Sequence, residues 1–181
     1  MNVISRTLLI GATFLATAGI GANITFAEQS AKTATVELKN LEGSQVGAAK
    51  LTQTPHGVLV YVKVSDLPPG AKGIHLHSKA SCTSDSSFKS SLGHHAEMKG
   101  QHGLLNAQGP GKGDLGNIYI ADNGVGEMQF FKAGVFLDQG EQPLIDEDGT
   151  AIVIHANQDD QVTQPIGGAG ARIVCGLVKV S

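Results

Sequence analysis

The residues with chemical capacity are concentrated in a few places. His75 and His77 flank Leu76, His94 and His95 are adjacent, and His102, Asp114 and His155 follow. His56 is the one remaining histidine and falls in a turn-like Thr54-Pro55-His56-Gly57, where a solvated surface role suffices. In an extended segment a His-x-His pair projects both imidazoles to the same side, so the two can grip one ion. A polar strand surface would look the same locally. The crowding of further imidazoles with a carboxylate favours a metal site, and such donors suit copper or zinc. A thiol-free set of neutral imidazoles fits redox-capable copper rather than an iron–sulfur centre. Phosphate-cradle chemistry is excluded: neither Gly167-Gly168-Ala-Gly170 nor Gly109-Pro-Gly-Lys112-Gly continues into Gly-Lys-Ser/Thr.

These residues need a frame, and the frame reads as strands. The chain has 181 residues, 24 of them Gly, no Trp and only 4% aromatics, a turn-rich composition without helical periodicity. Alternation marks strands over 33–39, 46–53, 58–64, 73–77, 115–121, 126–132, 151–155 and 173–180, with Val36 and Leu38 on one face of the first. Eight short strands with turn punctuation predict an all-β antiparallel sandwich or barrel. Between them lie irregular stretches at 78–113, 133–149 and 156–171, and the first is long enough to be a functional loop. A net charge of −3 argues against a nucleic-acid partner.

The amino-terminal segment differs from the rest. Arg6 precedes an apolar run from Leu8 to Ile20, and Thr25-Phe26-Ala27 ends in small residues. This is the pattern of a secretory signal peptide over 1–27, leaving a mature domain over 28–181. A retained membrane anchor is the rival, but the run is short and broken by Gly11, Gly19 and Gly21. The expectation is a soluble product in the periplasm or outside the cell, with no membrane contact. Cys82 and Cys175, the only cysteines, then read as one long-range disulfide. A redox pair or thiolate metal ligands would usually sit within a few residues of each other.

Gly73-Ile-His75-Leu-His77, Ser81-Cys82, Gly93-His94, His102-Gly103, Gly113-Asp114-Leu115, His155 and Gly168-Ala-Gly-Ala-Arg172-Ile-Val-Cys175-Gly176, with Leu67-Pro-Pro-Gly70 ahead of them, resemble the bacterial secreted Cu,Zn superoxide dismutases. The resemblance covers nearly all of 33–181. It implies an eight-stranded antiparallel Greek-key sandwich or barrel carrying long metal-binding loops. It further implies an oxidoreductase that converts superoxide to oxygen and hydrogen peroxide by a copper redox cycle.

Carried over by position, copper is expected on His75, His77, His94 and His155, with His94 bridging to zinc and supplying a proton. Zinc would also take His102 and Asp114. The family's remaining zinc histidine corresponds to Gly111, which has no side chain, so zinc is expected to be weakly held or absent. His95 neighbours His94 and would point away, Lys112 would have to lose a proton, and water could complete the site. Asp159 matches the carboxylate that hydrogen-bonds a copper histidine and a zinc histidine. Arg172 matches the guanidinium that docks the superoxide anion, and Cys82–Cys175 would tie the metal loop to the last strand. An exported copper-binding module, or a paralogue with a decayed site, remains the alternative; the complete copper quartet and Arg172 favour the enzyme.

Overall fold

A computed structural model describes residues 31–96 and 98–180; the expected signal segment lies outside them. Among the described residues nine strands are present: β1 (Thr33–Asn40), β2 (Gln45–Thr54), β3 (Gly57–Val64), β4 (Gly70–His77), β5 (Asp114–Ile120), β6 (Gly126–Ala133), β7 (Ala151–His155), β8 (Arg172–Leu177) and β9 (Lys179–Val180). All pairings are antiparallel, in the order β2-β3-β6-β5-β4-β7-β8-β1, and β1 also pairs with β2, so the sheet closes into an eight-stranded barrel. β9 prolongs the last barrel strand along β1 rather than adding a ninth stave. The expected strand 173–180 is interrupted at Val178, whose N–H turns to the carbonyl of Thr150.

The order is Greek-key. β4, β5 and β6 follow one another as neighbours, and β7 then returns to lie beside β4. That return makes the chain leave the barrel between β6 and β7. The β4–β5 connection, 78–113, is the long irregular stretch expected from sequence, relieved by one 3₁₀ turn at Lys89–Ser91.

Alternation explains the interior. Val58, Val60, Val62 and Val64 of β3 are buried in the barrel, while Tyr61 and Lys63 between them are exposed. Val36 and Leu38 of β1, Leu51 of β2, Ile74 and Leu76 of β4, Ile118 of β5 and Ile152 and Ile154 of β7 complete the same core. Branched side chains suit this pleated, fully packed surface. A second, smaller cluster lies outside the barrel wall: Ala151 and Val153 of β7 and Cys175 of β8 pack against Phe88 of the long loop. This patch pins the loop to the sheet where the chemistry lies.

Candidate metal centre

Period two decides which side of the wall the histidines occupy. Ile74 and Leu76 face the barrel core, so His75 and His77 project from the outer face of β4. On neighbouring β7, Ile152 and Ile154 face inward and His155 ends the outward row. The long loop then folds back onto β4. Ser78 N–H donates to Gly93 O at 2.9 Å and His95 N–H to Leu76 O at 2.8 Å, which pairs His94 with His77. On the other side Leu76 N–H donates to Gly113 O at 2.8 Å, and Asp114 pairs with His75. Gly113 is required here: a Cβ would lie 2.6 Å from Leu76 O and 2.9 Å from the His94 Cβ.

Two groups of donors result. In the first, one donor atom from each of His75, His77, His94 and His155 lies within 4.8 Å of all the others. Partners on the far side of three rings fix which nitrogen is available. His75 Nε2 meets Asp159 Oδ2 at 2.7 Å, His77 Nδ1 meets Leu92 O at 2.9 Å, and His155 Nδ1 meets Gly170 O at 3.0 Å. That leaves His75 Nδ1, His77 Nε2 and His155 Nε2 buried without a partner. Buried polar atoms normally find one, so three converging orphans are the mark of an ion site. Burial, reinforced by neighbouring positive charge, lowers His77 to about 2 and His155 to about 3. They are therefore neutral, the form that coordinates a metal. All-imidazole donors fit copper well.

The second group comprises His75, His94, His102 and Asp114, again with donor atoms within 4.8 Å of each other. Asp114 Oδ1 lies 2.7 Å from His102 Nδ1 and 3.5 Å from His94 Nδ1. Its Oδ2 accepts the N–H of Gly103 at 2.8 Å and of Gly111 at 2.9 Å. Burial works to raise Asp114, but the hydrogen bonds with His102, His94 and Gly103 hold it well below the usual carboxylate range. Burial likewise opposes charge on His102, yet Asp114 and Asp159 outweigh it and push that ring up to about 10. Nitrogen and oxygen donors in this arrangement fit zinc with an open position.

Asp159 contacts one histidine of each group. Its Oδ2 serves His75 and its Oδ1 lies 3.1 Å from His102 Nε2. Asn117 of β5 clamps it, accepting Asp159 N–H at 2.8 Å and donating to Asp159 O at 2.9 Å. Gly167 makes room for it: a Cβ there would stand 1.7 Å from Asp159 Oδ1, and φ is +61°. Neither Asn117 nor Gly167 was legible as part of the site, because neither carries a metal-binding group.

Position 111 is where the resemblance expects a further zinc histidine. Gly111 offers only its backbone, and Lys132 of β6 donates to Gly111 O at 2.6 Å. His95 turns away, its Nε2 meeting Gln142 O at 3.1 Å, and Lys112 Nζ reaches Gln142 Oε1 at 3.3 Å. Both are engaged by the 133–149 stretch and neither belongs to the donor groups.

Arg172 opens β8 directly opposite His155. Its guanidinium is half-buried and held by the long loop: Nη1 donates to Phe88 O at 2.8 Å and Ser91 Oγ at 3.0 Å, and Nη2 to Leu92 O at 2.7 Å. The Leu92 carbonyl thus orients both Arg172 and His77. The disulfide Cys82–Cys175 closes the same region, three residues beyond Arg172.

Comparison with known proteins agrees with this geometry. The family described as copper/zinc superoxide dismutase matches residues 45–178. Superoxide dismutase [Cu-Zn] of Caulobacter vibrioides is 42% identical over 149 residues, covering 81% of this chain and 85% of that protein. Superoxide dismutase [Cu-Zn] 1 of Aquifex aeolicus is 42% identical over 145 residues, covering 79% and 85%. The crystal structure of a double mutant of a SOD-like protein from Bacillus subtilis matches with a TM-score of 0.73 and 35% identity, over 79% of this chain and 95% of that one. With barrel, loops, donor groups and sequence in agreement, the chain belongs to the copper/zinc superoxide dismutase family.

Proposed function

We propose that this protein is a copper-dependent superoxide dismutase whose copper ligands are His75, His77, His94 and His155 and whose zinc donors are His94, His102 and Asp114. The observation that carries the reading is the convergence of three buried, partnerless ring nitrogens, His75 Nδ1, His77 Nε2 and His155 Nε2, beside an anchored arginine. Copper bound there would supply a one-electron couple suited to both the oxidation and the reduction of superoxide.

The chain's own residues do the remaining work. Arg172 receives the superoxide anion, and its fixed charge provides an attractive local field on a protein that is negative overall. The three bonds to Phe88, Ser91 and Leu92 spend donors on the loop, so the guanidinium is oriented before the anion arrives. His94, a member of both donor groups, is the ring we assign to proton delivery, since peroxide formation consumes protons. Asp159 keeps the Nε2 atoms of His75 and His102 as donors and so presents their Nδ1 atoms to the ions.

Export to the periplasm or beyond, after removal of 1–27, is part of the same reading. The apolar leader and the Cys82–Cys175 disulfide support it, since such bonds persist in oxidising compartments. Among the described residues no helix is long and apolar enough to cross a membrane.

The test is His155→Ala. The unaltered protein should bind one copper per chain in a tetragonal nitrogen environment, read by electron paramagnetic resonance, and dismutate superoxide. The variant should lose most of both. Full activity in His155→Ala would refute the ligand assignment.

A further inference from the structure

Lys132 is out of keeping with its place. It follows Met128 and Phe130 on the inward side of β6, yet it carries an ammonium, and the residue is only 5% exposed. A buried charge needs a partner. The ammonium finds one at Gly111 O, 2.6 Å away. The same carbonyl accepts the N–H of Asp114 at 3.2 Å, and the N–H of Gly111 returns to Asp114 Oδ2 at 2.9 Å. Asp114 Oδ2 also takes the N–H of Gly103, which ties the turn to the segment carrying His102. Thus a cation from inside the barrel reaches the turn at the residue that lacks the zinc histidine.

We infer that Lys132 is a positioning residue that stands in for the missing ligand: it holds the Gly111–Asp114 turn, and with it the Asp114 carboxylate, in place when no zinc is bound. The inference rests on His102 and Asp114 being zinc donors. A histidine at 111 would secure the turn only through the ion, whereas Lys132 secures it through a charge-assisted hydrogen bond to the main chain. Burial pulls the Lys132 ammonium down and the Asp114 charge offsets part of that, leaving it at about 8, so it stays largely cationic at neutral pH. Order on the zinc side then no longer depends on zinc.

The experiment is amide hydrogen exchange on copper-loaded, zinc-free protein, read at Gly103, Gly111 and Asp114, with Leu51 and Ile154, each paired on both sides within the barrel, reporting on the barrel. In the unaltered protein the three turn amides should be protected without zinc, and added zinc should change them less than about threefold. In Lys132→Met they should exchange at least about tenfold faster, with the barrel amides unchanged, and zinc should restore them. Lys132→Arg should behave as the unaltered protein. If Lys132→Met loses barrel protection as well, Lys132→Gln, which keeps a donor without charge, replaces it with the same expected loss. Equal zinc-free protection in the unaltered and neutral variants overturns the inference and leaves the copper assignment untouched. Failure of every variant to bind zinc in a chelator competition overturns the zinc-donor assignment, and the inference with it.

Discussion

Replacing Asp159 by Asn tests how the two donor groups are coupled. The carboxylate accepts His75 Nε2–H at Oδ2, while Oδ1 faces His102 Nε2 and also accepts Gln161 N–H at 2.7 Å. An amide has one oxygen. Two donors converge on the Oδ1 position, so the Asn oxygen settles there and its NH₂ faces His75. Two donors then oppose each other, and His75 keeps a good hydrogen bond only by moving its proton to Nδ1. Nδ1 is the nitrogen left free for the ion, so the favoured tautomer of His75 can no longer coordinate. A charge-assisted bond contributes about 1.5–3 kcal/mol, which corresponds to a roughly 10–100-fold loss of copper affinity. His102 keeps its acceptor, so zinc affinity should fall less than copper affinity. The assay is a competition titration against a chelator of known affinity for each metal, on protein shown to be folded. Unchanged copper affinity, or a loss confined to zinc, would refute the reasoning.

Two further outcomes follow from the same contacts. Arg172→Ala should retain copper to within about tenfold while slowing superoxide capture roughly 10–100-fold and flattening its salt dependence, measured by rapid-mixing decay of superoxide; outright loss of copper would make the residue structural. Metal-free protein should lose stability in acid, because the unfolded chain protonates His77 and His155 near 6.5 while burial holds the folded rings at about 2 and about 3. The unfolded state then binds more protons, so stability falls as pH drops below 6.5, by roughly 2 kcal/mol per ring between pH 6.5 and 4.5. His102, raised to about 10, adds stability that is nearly constant in this window and is lost progressively as pH climbs from 6.5 to about 10. A urea midpoint that does not move between pH 6.5 and 4.5 would contradict this account.

What could be read from the chain was what repeats locally. Valines at every second position of β3 announced an inward face, and the same period placed His75 and His77 together, as the structure has them. The fold class, His75, His77, His94 and His155 as one cluster and the Cys82–Cys175 bond all carried signals within a few residues or in a count. Contacts created by barrel closure carried none. Asn117 clamps Asp159 from 42 residues away, and Lys132 meets Gly111 from 21 away. For Lys132 one clue existed: it stands two positions beyond Phe130 on the inward row, where alternation already made a charged residue anomalous. His95 illustrates the converse. Its place next to His94 already argued that its ring points away, and the loop bond of its N–H to Leu76 O aims it at Gln142.

The closure of the sheet governs what the protein can survive before its ions arrive. An open sheet ends in a row of unpaired N–H and C=O groups, a template on which another chain can polymerise. Here β1 is bonded to β2 on one side and to β8 and β9 on the other, so the ladder runs round without a terminus. The metal-binding loops lie outside that ring, and their opening leaves the ladder intact. A metal-free chain can therefore admit an ion through loosened loops without offering its neighbours a strand to extend.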